Sequence, residues 1–156
     1  MAEDVRSPQG VACITFSNEA ARELVRRFRK LGLEQSPRLF VGTVHSFCLL
    51  HLLLPFAQLA GLDLPYPLKV ATESEAATIY RAAAEKLRGI GQPVRKEDVD
   101  RHRRVNLDRE SKAWTRGEEM TGLAEAYERE LRKQGLIDFE DIVYYGQRLV
   151  NEHGWI

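Results

Sequence analysis

The run Val11-Ala-Cys-Ile-Thr-Phe16 passes without a glycine or proline into Ser17-Asn18 and then into a helical pattern. A near-continuous apolar run of this length predicts a strand covered on both faces, the arrangement of a parallel sheet. Ser17 or Asn18 can cap the following helix. Its apolar residues Ala21, Leu24, Val25, Phe28 and Leu31 recur at helical spacing, while Arg22, Glu23, Arg26, Arg27 and Arg29 fall mostly on the other side. Gly32 closes the helix. Arg38–Thr43 predicts a second strand and His45–Leu54 a second helix, stopped by Pro55. Strand, helix, strand, helix with short joins means two parallel strands linked by a crossover. Two strands are too few for a complete sheet of this kind.

From Phe56 the pattern changes. Residues 60–70 carry two prolines and read as a loop. Thr72-x-x-Glu75 is a capping box opening a helix to about Arg88. Residues 89–99 read as a turn and the start of a shorter helix, and Asp100–Gly117 as a polar stretch. A helix over Glu118–Lys133 ends at Gly135. Asp138 caps a last helix whose buried stripe is expected to be Phe139, Ile142, Val143, Leu149 and Val150. The expected class is therefore α/β but mostly helical: an incomplete parallel sheet followed by an all-α subdomain, with a boundary near residues 56–70.

Composition narrows the function classes. Apolar content of 44% and charged content of 29% fit a globular chain. Lys plus Arg equals Asp plus Glu, 23 against 23, so attraction to a polyanion has to be local. Cys13 and Cys48 lie in apolar surroundings without a disulfide pattern, and reduced thiols in a cytoplasmic protein are expected. Residues 1–10 begin with acids and read as a disordered lead-in rather than a signal peptide. The longest apolar run, Phe47–Ala57, is broken by His51 and Pro55 and is too short for a bilayer, so no membrane partner is expected.

A parallel sheet offers ligands the loops at the carboxyl ends of its strands. Here these are Thr15-Phe16-Ser17-Asn18 and Gly42-Thr43-Val44-His45-Ser46. Each sets small hydrogen-bonding side chains beside a helix N-terminus, which suits a phosphate oxygen. Phe16 could stack on a base, and Gly42 would let a backbone come close. The same hydroxyls could equally be caps and nothing more, and Phe16 could be core. Both readings stay open on local chemistry.

The order of the motifs adds to this. "TFSNEAARE", then "VGTVHSFC", resembles motifs Ia and Ib of the UvrD/Rep-like superfamily 1 DNA helicases, commonly "TFTNKAA" and "GTFHSF". Downstream, "YERELRKQGLIDFEDIV" resembles the stretch leading into that family's "DFxDL" segment. The resemblance implies that residues 11–56 are part of a RecA-like, P-loop-NTPase-like motor domain 1A. It makes residues 57–136 the helical domain 1B, and 137–156 a helix returning to 1A. Thr15, Phe16, Asn18, Thr43, His45 and Ser46 would then line a single-stranded DNA path. For the complete protein it implies ATP and Mg²⁺, 3′-to-5′ translocation, and the remainder of the helicase as partner.

Two departures stand out. Glu19 occupies a position where the family often has lysine, and Val44 replaces the usual aromatic. The Walker A loop G-x-x-x-x-G-K-[ST], the "DExx" magnesium motif and the second motor domain with its arginine finger are not found in this sequence. The chain by itself is therefore expected to hold no cofactor and to hydrolyse no ATP.

Residues 101–116 hold six cations (Arg101, Arg103, Arg104, Arg109, Lys112, Arg116) against Asp108 and Glu110, with Trp114 among them. Arg103, Arg104, Lys112 and Trp114 are candidates for contact with single-stranded DNA or a single/double-strand junction. His45, Cys48 and His51 invite a metal reading, but no fourth ligand accompanies them. Asp138, Glu140 and Asp141 read as a cap with acids in the first helical turn. The alternative to a helicase fragment is a non-enzymatic helical module that binds a protein. The incomplete sheet predicts exposed apolar edges at Val11–Phe16 and Leu39–Val41, open to a partner or a second copy.

Overall fold

The computed structural model describes residues 10–33, 36, 38–87 and 94–155. The lead-in up to residue 9, and residues 88–93 with the glycine-rich part of the turn, lie outside the described residues. β1 (Val11–Thr15) and β2 (Leu39–Thr43) form a two-stranded parallel sheet in which Val11 sits opposite Leu39 and Thr15 opposite Thr43. Between them runs α1 (Asn18–Lys30). Ser17 caps it, its hydroxyl accepting from Ala20 N–H at 3.1 Å. Glu19 in the first turn and Arg27, Arg29 and Lys30 in the last complement the helix dipole. Gly32 then turns left-handed at φ 72°, letting Leu33 N–H donate back to Phe28 O at 2.9 Å.

The second helix does not stop at Pro55. α2 (Val44–Phe47), a π-helical stretch (Cys48–Leu53) and α3 (Leu54–Phe56) run on without a break. Leu54 N–H reaches five residues back to Leu49 O, whereas Ala57 N–H reaches four back to Leu53 O. Pro55, which lacks an N–H, falls where the hydrogen-bond ladder shifts register and a carbonyl is already left out.

Next come α4 (Glu73–Lys86), α5 (Lys96–Val105), α6 (Lys112–Thr115), α7 (Glu118–Lys133) and α8 (Phe139–Glu152). The expected polar stretch over Asp100–Gly117 is thus helical at its start and again at residues 112–115. Thr72 with Glu75 and Asp138 with Asp141 form full capping boxes. Gly135, at φ 69°, ends α7, with Leu136 N–H donating to Leu131 O at 3.0 Å.

Two apolar cores result. One joins α4, α5 and α7 around Ile79, Tyr80, Val99, Ala124, Tyr127 and Leu131. The other joins the π-helical stretch to α8 through Cys48, Leu52, Leu53, Ile142 and Leu149, and the loop residues Leu62, Leu64 and Leu68 pack on it. A bridge between Val70 and Ile137 ties the segments that enter α4 and α8. Of the stripe expected on α8, Ile142 and Leu149 are buried, while Phe139 and Val150 face outward. Val11, Ile14 and Phe16 are exposed, as an incomplete sheet requires, and Leu39, Phe40 and Val41 are half-buried. No helix among the described residues is long and apolar enough to cross a membrane.

Candidate nucleic-acid interface

Thr15 and Thr43 are register partners, so the two strand-end turns lie side by side at one edge of the sheet. The Thr15 hydroxyl bridges them, lying 2.9 Å from Ser17 O and 3.5 Å from Gly42 O. Helices α1 and α2 both start at this corner.

Much of the hydroxyl chemistry there is spent on capping. Thr43 Oγ1 accepts from Ser46 N–H at 3.1 Å, and Ser46 Oγ accepts from Thr43 N–H at 2.9 Å. The two hydroxyls also lie 3.0 Å apart, and Ser46 Oγ donates to Thr43 O. Gly42 serves packing as well: a Cβ there would strike the Phe40 ring and the Ser46 hydroxyl. Val44, in place of an aromatic, packs on the α8 core.

Phe16 is different. Its side chain is 97% exposed, so it adds nothing to the core. Asn18 is likewise exposed at the head of α1. His45 lies face to face with Phe139 at 3.5 Å between ring centres and 16° between planes. Burial pushes the His45 imidazole down, Glu140 opposes this, and Arg104 adds to it, leaving a net lowering. A neutral ring therefore stands at the corner at neutral pH. Phe139, 57% exposed, joins the candidates at this corner, and periodicity hid it by assigning it to a buried stripe. Its signal is local: the first residue of a capped helix sits at the helix end, where the apolar stripe has yet to meet the core.

The basic stretch is corrected in two places. Arg103 is 1% exposed and Trp114 4%, so neither offers a surface for nucleic acid. Arg103 follows Val99 by four residues and therefore points into the core. There it pairs with Asp138 at 2.6 and 3.0 Å, with Asp141 at 2.9 Å and with Glu128 at 2.7 Å. Burial pushes the Asp138 carboxyl up, but the Arg103 guanidinium outweighs this and holds it at about 2. Trp114 is sandwiched between the His102 ring at 4.7 Å and the Arg109 guanidinium at 3.7 Å. Arg104 remains at the surface in a two-pronged pair with Glu140, and Lys112 is exposed.

His102 makes a testable pH device of that sandwich. The Thr121 hydroxyl donates to Trp114 O at 2.6 Å, so it accepts from His102 Nε2–H at 3.1 Å. Asn106 Nδ2 donates to His102 Nδ1 at 3.2 Å, which fixes the neutral tautomer. Burial, and then Arg109, push this imidazole down. The unfolded chain takes up the proton near the ordinary histidine value of about 6.5, before the folded chain does. Stability is therefore full above that value and lost as pH falls through the histidine range. Urea midpoints measured between about pH 7.5 and 5.5 should drop, and the drop should be shallower in His102→Gln. Equal slopes in both proteins would contradict this account.

His45, Cys48 and His51 diverge: His45 stacks on Phe139, His51 packs on Phe40 and Phe47, and Cys48 faces Gly146. Among the described residues no group of three or more His, Cys, Asp or Glu side chains is placed to hold a metal ion. Asp138 and Asp141 cap α8 and pair with arginines. Ser17 and Thr43 are taken up as caps, and neither turn carries a lysine.

Fold and corner together define an α/β, mostly helical protein in which two strand-end turns meet at the carboxyl edge of a parallel sheet. The family model for the UvrD/REP helicase N-terminal domain matches residues 1–156, and the chain belongs to that family. It is also similar to the ATP-dependent DNA helicase PcrA of Staphylococcus aureus. In strains Mu50 / ATCC 700699 and NCTC 8325 / PS 47 the identity is 45% over 42 residues, which is 27% of this chain. The chain covers 6% of the length of those relatives.

Proposed function

We propose that this chain contributes single-stranded DNA binding to an ATP-dependent DNA helicase of the UvrD/Rep kind. The observation that carries this reading is Phe16: a large aromatic, almost wholly in water, at the corner where two strand ends and two helix starts meet. Burying it elsewhere would be worth about 1.5–3 kcal/mol to the fold, so its position asks for a stacking partner. His45 and Phe139 supply a second stacked surface beside it, and Arg104 lies close to that surface. Asn18, whose side-chain amide can donate, would accompany the sugar–phosphate backbone, with Thr15 and Thr43 shaping the two turns beneath it and Lys112 meeting a junction further out. ATP and Mg²⁺ would be bound by other parts of such a helicase, and this chain alone would hydrolyse no ATP. The exposed apolar side of β1 would be covered by the remainder of the helicase, in a cytoplasmic protein.

The test is binding of a labelled oligothymidylate at several salt concentrations. Phe16→Ala should weaken binding by about 1–3 kcal/mol while leaving thermal stability unchanged, because the ring packs on nothing. His45→Ala should weaken it too. Thr43→Ala is a poorer probe, since losing its cap costs about 1 kcal/mol of stability. A parent protein that fails to bind at low salt, or a Phe16→Ala protein that binds like its parent, refutes the reading.

A further inference from the structure

A groove of about 1010 Å³ leads away from the strand-end corner, between α1 and the outer side of β2. Asn18, Thr43 and Ser46 stand at its corner end, and Phe40 and Leu50 line part of its wall. Along α1 it is bordered by Arg22, Arg26, Arg29 and Lys30, and no carboxylate among the described residues lines it. The chain as a whole is neutral, so four cations along one wall mark a local excess of positive charge, even with Glu23 and Glu19 beside two of them. Helical spacing places the four on adjoining rows of one side of α1. Arg26 is held by Glu23 at 2.8 and 2.9 Å, and Arg22 has only a loose pair with Glu19 at 3.9 Å. Arg29 and Lys30 have no ion pair among the described residues.

We propose that this groove is a second phosphate-backbone subsite, along which a single nucleic-acid strand continues from the corner down the side of α1. The inference rests on the single-strand reading above and extends it with a direction and a new set of contacts. An extended peptide is the weaker occupant. It would need the outer backbone groups of β2, of which Leu39 N–H already donates to Ser36 O and Thr43 N–H to Ser46 Oγ, leaving only the middle of the strand to pair. Side chains, rather than a sheet edge, are what the groove offers, and guanidinium and ammonium groups match phosphate. α1 rises about 18 Å over its length, enough for several successive phosphates.

The experiment compares the parent chain with Arg22→Gln/Arg29→Gln/Lys30→Gln, which keeps helix propensity, and with Phe16→Ala. Each is titrated with a thymidylate of about four nucleotides and one of about twelve, a span typical of single-strand sites, over a range of salt. Circular dichroism melting confirms that all three proteins fold alike. The triple variant should bind the short probe like the parent. With the long probe its plot of log affinity against log salt should be shallower by about 2, at about 0.7 per phosphate contact. Phe16→Ala should weaken both probes. An unchanged salt slope for the triple variant on the long probe, with Phe16→Ala still weakened, overturns the groove and spares the corner. Weakening of both probes by the triple variant, with no effect of Phe16→Ala, overturns the corner and the path drawn from it.

Discussion

Arg103→Ala is expected to lower the unfolding free energy by about 3–5 kcal/mol, the usual cost of stranding buried charges. The guanidinium is almost wholly enclosed and makes paired contacts to Asp138, with further contacts to Asp141 and Glu128. Arg132 reaches Asp141 at 2.8 Å and Arg109 reaches Glu128 at 2.8 Å, but Asp138 has no other ion pair among the described residues. Removal would leave that carboxylate in the interior at the N-terminus of α8. Arg103→Met restores the lost volume without the charge, so it should cost nearly as much. Arg103→Lys keeps the charge but not the planar fork, and should fall between. In Arg103→Ala, burial would push the Asp138 carboxyl above its unfolded value. Stability of the variant should then be regained as pH falls toward the carboxylate range and lost as it rises. Chemical denaturation at two pH values reads all of this. An Arg103→Met protein as stable as the parent would show that the carboxylates tolerate being alone.

Gly146→Ala is the second large effect, and its sign runs against helix propensity. An alanine in place of glycine inside a helix ordinarily stabilises by about 0.5–1 kcal/mol. In α8, however, a Cβ at Gly146 would lie 2.8 Å from both Cβ and Sγ of Cys48. α8 would have to back away from the π-helical stretch that it packs on, at a cost of about 1–3 kcal/mol. Gly122→Ala in α7 is the control, since a Cβ there meets nothing within 4 Å. One substitution type should thus raise the melting temperature at residue 122 and lower it at residue 146. Two shifts of the same sign would contradict the packing described for α8.

The contrast between these glycines shows what could be read in advance. Helix starts at Ser17, Thr72 and Asp138 and helix ends at Gly32 and Gly135 were legible, because a cap is a contact over three to five residues along the chain. The two strands and their turns were legible because a short apolar run between turn residues has few other fates. The passage through Pro55 was not, since it depends on a one-residue shift in the ladder that the packing of Cys48, Leu52 and Leu53 on α8 stabilises. The basic stretch misled for a related reason. Charge counts treat every arginine as a surface group, whereas Arg103 meets carboxylates 25 to 38 residues further along.

The candidate site divides in the same way. The corner residues Thr15, Phe16, Asn18, Thr43 and His45 follow from the ends of strands and the starts of helices. Phe139 and the groove beside α1 do not. The amino-acid order by itself determined both strands, the longer helices, most of their caps and the family, because those depend on neighbours along the chain and on motif order. Only the tertiary structure decided which cations face water and which hold the interior together. It alone set Phe139 against His45 and opened a basic channel beside β2. Charge, unlike helix-forming tendency, takes its meaning from groups that only folding brings near.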